Sequence, residues 1–418
     1  MDVIDLYATL DRKFKKALPK EKYEKVITKL DKMIGLIYGS IVGLLCGAAT
    51  QPLGPKSAAQ AYGRSDEQPD RLPFCKVNTR EAMIDPILGQ LMSHISELKI
   101  SKWDPAKYKM LTNYKSVIWN SSILRVDLNA QFVEQIRMNK NPYLYNLFSE
   151  DFYTRVPICA LFGEPSVDVT IGKIMQTHTS FEASAYGILV TSILRIALLN
   201  DDLFSNYIDW NDTIKTSLLP LLEKYYKIYQ VTCIQEDAKS EASKLRSETF
   251  KTKLDESYQE IINKLNHLSQ MYTVPNNEPE VNIDHATESH LGSAYHLDYE
   301  EKEDYKITSI YQKELDELKL ENKNSSHPAL LAIWTVKTLQ AIHKKLDITK
   351  IEPVNVSRLI LQSVAIKTGC SAYNCMIVGS ILGNVFGFTQ IPEEFYDGLN
   401  PQFVHKINQD ILEIIACM

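Results

Sequence analysis

The chain has 418 residues, 44% of them hydrophobic and 23% charged, with a formal net charge of −6. That is the composition of a folded globular protein, large enough for one big domain or two ordinary ones, and it argues against intrinsic disorder. Net acidity argues against general nucleic-acid binding, which favours a basic surface.

Residues 1–33 read as a helical preamble. Leu6, Leu10 and Phe14 are spaced by four, Pro19 interrupts, and Tyr23, Val26, Ile27 and Leu30 resume the stripe with lysines on the other face. The N-terminus is charged and carries no apolar core of a secretory signal. Seven cysteines scattered through the chain do not form a disulfide framework, so a reduced, cytoplasmic setting is expected.

No charge occurs over 33–55, and Gly39, Gly43 and Gly47 recur there every four residues. On a helix this spacing leaves a bare ridge against which another backbone can pack. The apolar run ends at "TQPLGP" after about sixteen residues, short of the roughly twenty that span a bilayer, so a buried core helix is expected and no membrane.

From 34 to about 230 helical patterns dominate, among them "FEASAYGILVTSILRIALL" at 181–199. Residues 231–326 are different, with 11 Lys and Arg against 20 Asp and Glu, and read as an acidic, partly helical insertion. Apolar helix returns at 327–346, and a second glycine ridge (Gly379, Gly383, Gly387) follows the polar turn "GCSAYNC". With no β-α alternation, the expected fold is all-α. It is one helical domain, 34–230 plus 327–418, with an N-terminal extension over 1–33 and an insertion over 231–326.

In chain order the motifs are the first ridge, "TNYKSVIWNSSILRV" (112–126), "FYTRVPICALFG" (152–163), Thr177-His178, and "GCSAYNCMIVGSILGNVFGFTQIP" (369–392). This order resembles the ADP-ribosylglycohydrolase family, the DraG-like ADP-ribosylhydrolases, over about two thirds of the chain. Gly39, Gly43 and Gly47 match the family's opening GxxxGxxxGDAxG. Gly369, Gly379, Gly383, Gly387, Ile391 and Pro392 match its closing GGDTDTxAxxxGxxxGxxxGxxxIP. Arg155, with Pro157 and Ile158, is similar to its MRxxPLG element, one residue short.

The resemblance implies an all-α fold that holds two magnesium ions over a bound ADP-ribose, on carboxylate and hydroxyl ligands. Magnesium is a hard cation that needs anionic oxygens to offset its dehydration, and a metal pair activates the attacking water. At those positions this chain departs from the pattern. The aspartates of the closing motif are Ser371 and Tyr373, followed by Asn374. The early TDDT aligns with Lys115, Ser116, Val117 and Ile118. The aspartate of the opening motif is Ala48. Arg155 and His178 are the remaining candidates to line the old pocket.

The expectation is therefore a pseudoenzyme that binds no magnesium and no ADP-ribose. It would serve as a structural subunit of a cytoplasmic assembly, with the cytoskeleton as a candidate, and contact protein partners through 1–33 and 231–326. A hydrolase working by an altered, metal-poor mechanism and an ADP-ribose reader are the alternatives. The Asp pair at 201–202 is out of motif order, and Cys370 and Cys375 lack the spacing of a zinc site.

Overall fold

A computed structural model of the protein describes residues 3–50, 86–110, 150–176, 180–199, 210–234, 241–271, 328–345, 353–368, 371–392 and 399–416, together with positions 57, 58, 61, 178 and 395. Among them every regular element is helical. The fold is all-α.

Helix α1 (Val3–Ala17) turns at Pro19 into α2 (Lys20–Thr50). Then come α3 (Pro86–Ser101), α4 (Pro105–Met110), a 3-10 turn (Glu150–Thr154), α5 (Val156–Ala160), α6 (Ser166–Ile174) and α7 (Phe181–Leu199). Next are α8 (Trp210–Thr213), a π-helical turn (Ile214–Leu218), α9 (Leu219–Ile234) and α10 (Glu241–Met271). The chain ends with α11 (Pro328–Lys345), α12 (Pro353–Lys367), α13 (Ser371–Phe386), a 3-10 turn (Phe388–Gln390) and α14 (Pro401–Ala416).

The centre of the molecule is the α2–α13 pair. A Cβ added to Gly43 would lie 1.9 Å from the Cys375 carbonyl oxygen, one on Gly39 2.1 Å from that of Gly379, and one on Gly35 2.0 Å from that of Gly383. Each step of four up one helix is a step of four down the other, so the pair is antiparallel with its backbones in contact. The ridge in α2 starts one turn earlier than expected, at Gly35. Gly387 does not prolong α13. It sits at φ 89°, in the left-handed region that favours glycine, just after the helix ends. A Cβ there would strike the Asp31 carboxylate, which accepts hydrogen bonds from Thr389 N (3.1 Å) and Thr389 Oγ1 (3.2 Å).

The glycine pair is enclosed on both sides. Val42, Cys46, Cys375, Val378 and Leu382 pack with Trp334 of α11 and Ile360 and Val364 of α12. On the other side Leu36, Ile37, Ile41, Met376 and Ile377 belong to a larger core with α3, α5, α6, α7 and α14. Asn384 Nδ2 donates to the Leu194 carbonyl (2.7 Å), which ties α13 to α7. Helices α2 and α7 are long and apolar enough to cross a membrane by length and composition, yet 89% and 72% of their apolar windows are buried within the fold.

The preamble is part of this core. Leu6 and Leu10 are buried in the main cluster, α1 packs on α2 and α14, and α2 runs from Lys20 past the notional boundary at 33 without a break. Of the acidic stretch, α10 lies against α7 and α9 and buries Leu254, Ile261 and Leu265. Residues 272–326 lie outside the described residues.

Candidate functional site

The antiparallel register fixes where the expected pocket falls. Continued one turn past the Gly43–Cys375 contact, it sets the C-terminal end of α2 (Gly47 and Ala48) level with the first turn of α13, which holds Ser371, Tyr373 and Asn374. Two of the three expected metal-binding segments therefore meet. The third, with Lys115, Ser116 and Val117, lies outside the described residues, as do Gly369, Cys370, Thr177 and the side chain of Ser371.

What stands at this junction is not a set of hard-cation ligands. Ala48 offers a half-buried methyl, Tyr373 leans on the core with its ring half-buried, and Asn374 is fully buried. A magnesium ion needs charged oxygens, and these three side chains carry no charge. They do not fit the metal pair that the resemblance implies. Among the described residues, no group of three His, Cys, Asp or Glu side chains is placed to hold a metal. Cys375 faces away from any such role, since burial pushes its thiol well above the usual range and its Sγ contacts the Leu361 carbonyl at 3.9 Å.

The 3-10 turn Glu150–Thr154 packs against α3, α5, α7 and α13. It carries Asp151, which sequence reasoning missed. Asp151 Oδ1 is 2.8 Å from Nε2 of His178, whose ring is fully buried and meets Phe152 edge-on at 5.7 Å. His178 follows α6, its N–H donating to the Ile174 carbonyl (2.8 Å). A carboxylate beside an imidazole orients the ring and fixes its tautomer, and here it does so in the interior. The signal was close at hand: Asp151 lies four residues before Arg155 and immediately precedes the segment 152–163 flagged for that arginine.

Arg155 is also buried, just before α5, where Pro157 suits the first helical turn. Its Nη1 donates to the Lys173 carbonyl (2.6 Å). Arg155 thus opens onto a second interior polar group that the sequence did not reveal. Lys173 Nζ, on α6, donates to Glu97 Oε2 of α3 at 2.8 Å and sits 4.3 Å from the centre of the Tyr108 ring. His94 Nδ1 lies 3.2 Å from the same carboxylate oxygen. Burial alone would raise the Glu97 carboxyl, but hydrogen bonding and charge from His94 and Lys173 outweigh it and hold the group at about 2. Burial lowers His94 and Lys173 in turn.

No family model matches the chain, and no curated protein matches it. A solved structure described as an "ADP-ribosylglycohydrolase-related protein complex" is similar over 93% of this chain and 98% of its own, at 12% identity and a TM-score of 0.45. A likeness at that level bears on neither family nor activity.

Proposed function

We propose that this chain is a degenerate relative of the ADP-ribosylglycohydrolases. In this reading it has kept the helical body and given up metal-dependent hydrolysis, and it acts as a structural subunit of a larger cytoplasmic assembly. One observation carries the reading: Ala48 and Tyr373 stand at the junction of α2 and α13 at positions where the resemblance puts carboxylates, with Asn374 next to Tyr373. Uncharged side chains packed into that space stabilise the interior once no cation is held there, because like-charged carboxylates would otherwise be buried without compensation. Asp151, His178 and Arg155 are all buried and engaged with protein groups in the interior.

The test is direct. The purified protein is incubated with ADP-ribosylated arginine and serine peptides, with and without millimolar magnesium, and calorimetry follows magnesium alone. The expected outcome is no turnover and no site-like heat. Turnover that rises with magnesium would show a working hydrolase and sink the proposal; binding of free ADP-ribose without turnover would favour a reader.

A further inference from the structure

Arg155 is 4% exposed, and among the described residues its side chain makes one hydrogen bond, from Nη1 to the Lys173 carbonyl. Its Nε is buried and meets no acceptor, so the edge formed by Nε and Nη2 is unused. That edge presents two parallel N–H groups, the geometry that grips a carboxylate or a phosphate with two bonds. Nor does Arg155 have a carboxylate of its own. Glu97 is shared by Lys173 and His94, and Asp151 bonds His178. A guanidinium buried in this state leaves charged donors unsatisfied, which costs free energy until an acceptor reaches them. Two more polar side chains belong to the same wall. Helix α3 carries Gln90, His94 and Glu97 at spacings of four and three, on one face. It packs on the 3-10 turn and on α5, the two elements that flank Arg155. Thr154 Oγ1 donates to Gln90 Oε1 (3.3 Å), and His94 meets Glu97 through Nδ1, so the Gln90 amide nitrogen and His94 Nε2 are left over. Burial and then the charges of Arg155 and Lys173 hold the His94 ring below its ordinary range against the pull of Glu97, so the guanidinium lies within electrostatic reach of the ring.

We infer that Arg155, His94 and Gln90 form a binding site for a small oxyanion, a carboxylate or a phosphate, seated on the Nε–Nη2 edge of Arg155. The inference goes beyond the structural-subunit reading and does not depend on it. The planar fork selects oxygens over a halide. Gln90 and His94 are 8% and 9% exposed, so the site suits an ion of a few atoms and not a nucleotide or a polymer. Binding is linked to a proton. With Nδ1 donating to Glu97, His94 Nε2 donates to the anion only as the imidazolium. A bound anion favours that form, so one proton is taken up with the ion and affinity rises as pH falls.

The experiment follows thermal unfolding of the full chain while sodium formate or inorganic phosphate replaces sodium gluconate, an anion too bulky to enter, at constant ionic strength. Either small anion is expected to raise the melting temperature. Each tenfold step above its dissociation constant shifts the equilibrium about tenfold toward the folded chain. Formate alone marks a carboxylate site and phosphate alone a phosphate site. The formate effect is expected to be larger at pH 6 than at pH 7.5, where formate itself keeps its charge. Arg155→Met is expected to abolish the anion dependence. Arg155→Lys, which keeps the charge and loses the fork, is expected to weaken it about tenfold and decides the matter should the methionine variant fail to fold. His94→Gln is expected to keep anion binding and lose its pH dependence. No anion dependence in the intact protein, the same dependence in the Arg155 variants, or an unaltered pH dependence in His94→Gln overturns the inference. Stabilisation by ADP-ribose at concentrations where formate and phosphate do nothing overturns it too and favours the reader. Hydrolytic turnover would sink the structural-subunit reading and leave this site standing.

Discussion

Carbonyl oxygens are the walls of the α2–α13 contact, and they do not move aside as a flexible side chain does. A Cβ on Gly39 or Gly383 would lie 2.1 or 2.0 Å from one, so Gly39→Leu or Gly383→Leu must push the two helices apart. Each is expected to cost about 1–3 kcal/mol or more, read as a clear fall in melting temperature. The interior polar group gives a second expectation. Glu97→Gln or Lys173→Met alone leaves the other partner buried without its counter-charge, at a cost of about 3–5 kcal/mol, and the double variant recovers most of it in denaturant melts. The acid dependence has a defined sign. Glu97 is held at about 2 against an ordinary 4.5, so its contribution is complete above 4.5 and is lost as pH falls toward 2. His94 is lowered from 6.5 by burial, so the unfolded chain takes up that proton first and stability begins to fall below about pH 6.5. Urea melts across pH 7 to 3 check both windows, and His94→Gln should remove the upper one.

Among the elements, the turn from α3 to α4 holds Lys102 and Trp103 at φ of 50° and 61°, in left-handed conformations that side chains resist. The turn is held from outside: Trp103 Nε1 donates to the Ile414 carbonyl of α14 (2.7 Å), and Asp104 Oδ1 accepts from Ala106 N (3.0 Å) and Lys107 N (3.1 Å) at the start of α4. Lys102→Gly is expected to stabilise the protein by about 0.5–1 kcal/mol, seen as a higher melting temperature. Much at this scale is legible in the sequence. Strong periodicity marks the helices at 181–199 and 327–346, and four-residue glycine spacing marks the pair that meets at the centre. Gly35 was legible too, one step before Gly39. The partner of each ridge was not, because nothing local records that α2 will meet a helix more than three hundred residues away. The Glu97–Lys173 pair was hidden for the same reason, since a lysine and a glutamate on separate helices read as solvated faces. At the candidate site, the missing carboxylates are legible one by one, but the burial of Asp151 with His178 needs the fold.

For the molecule as a whole, the helical preamble cannot be removed without loss. Leu6 and Leu10 are 0% and 1% exposed, and truncating a buried leucine to alanine costs about 2–5 kcal/mol. Deleting residues 1–17 is therefore expected to lower the melting temperature steeply, whereas reversing the surface lysines should not. Thermal melts of the two variants side by side separate a structural role of α1 from a docking role of its outer face. The antiparallel glycine contact also has a consequence for synthesis. Translation proceeds at about 5–20 residues per second, so α2 leaves the ribosome tens of seconds before α13 exists. During that interval a helix of mean hydropathy 1.8 over its apolar window, with a bare spine where its partner's backbone belongs, has nothing to close upon. The nascent chain must keep this surface from neighbouring chains until its last hundred residues arrive, so yield in the cell should depend on chaperone supply more than on the final stability of the fold.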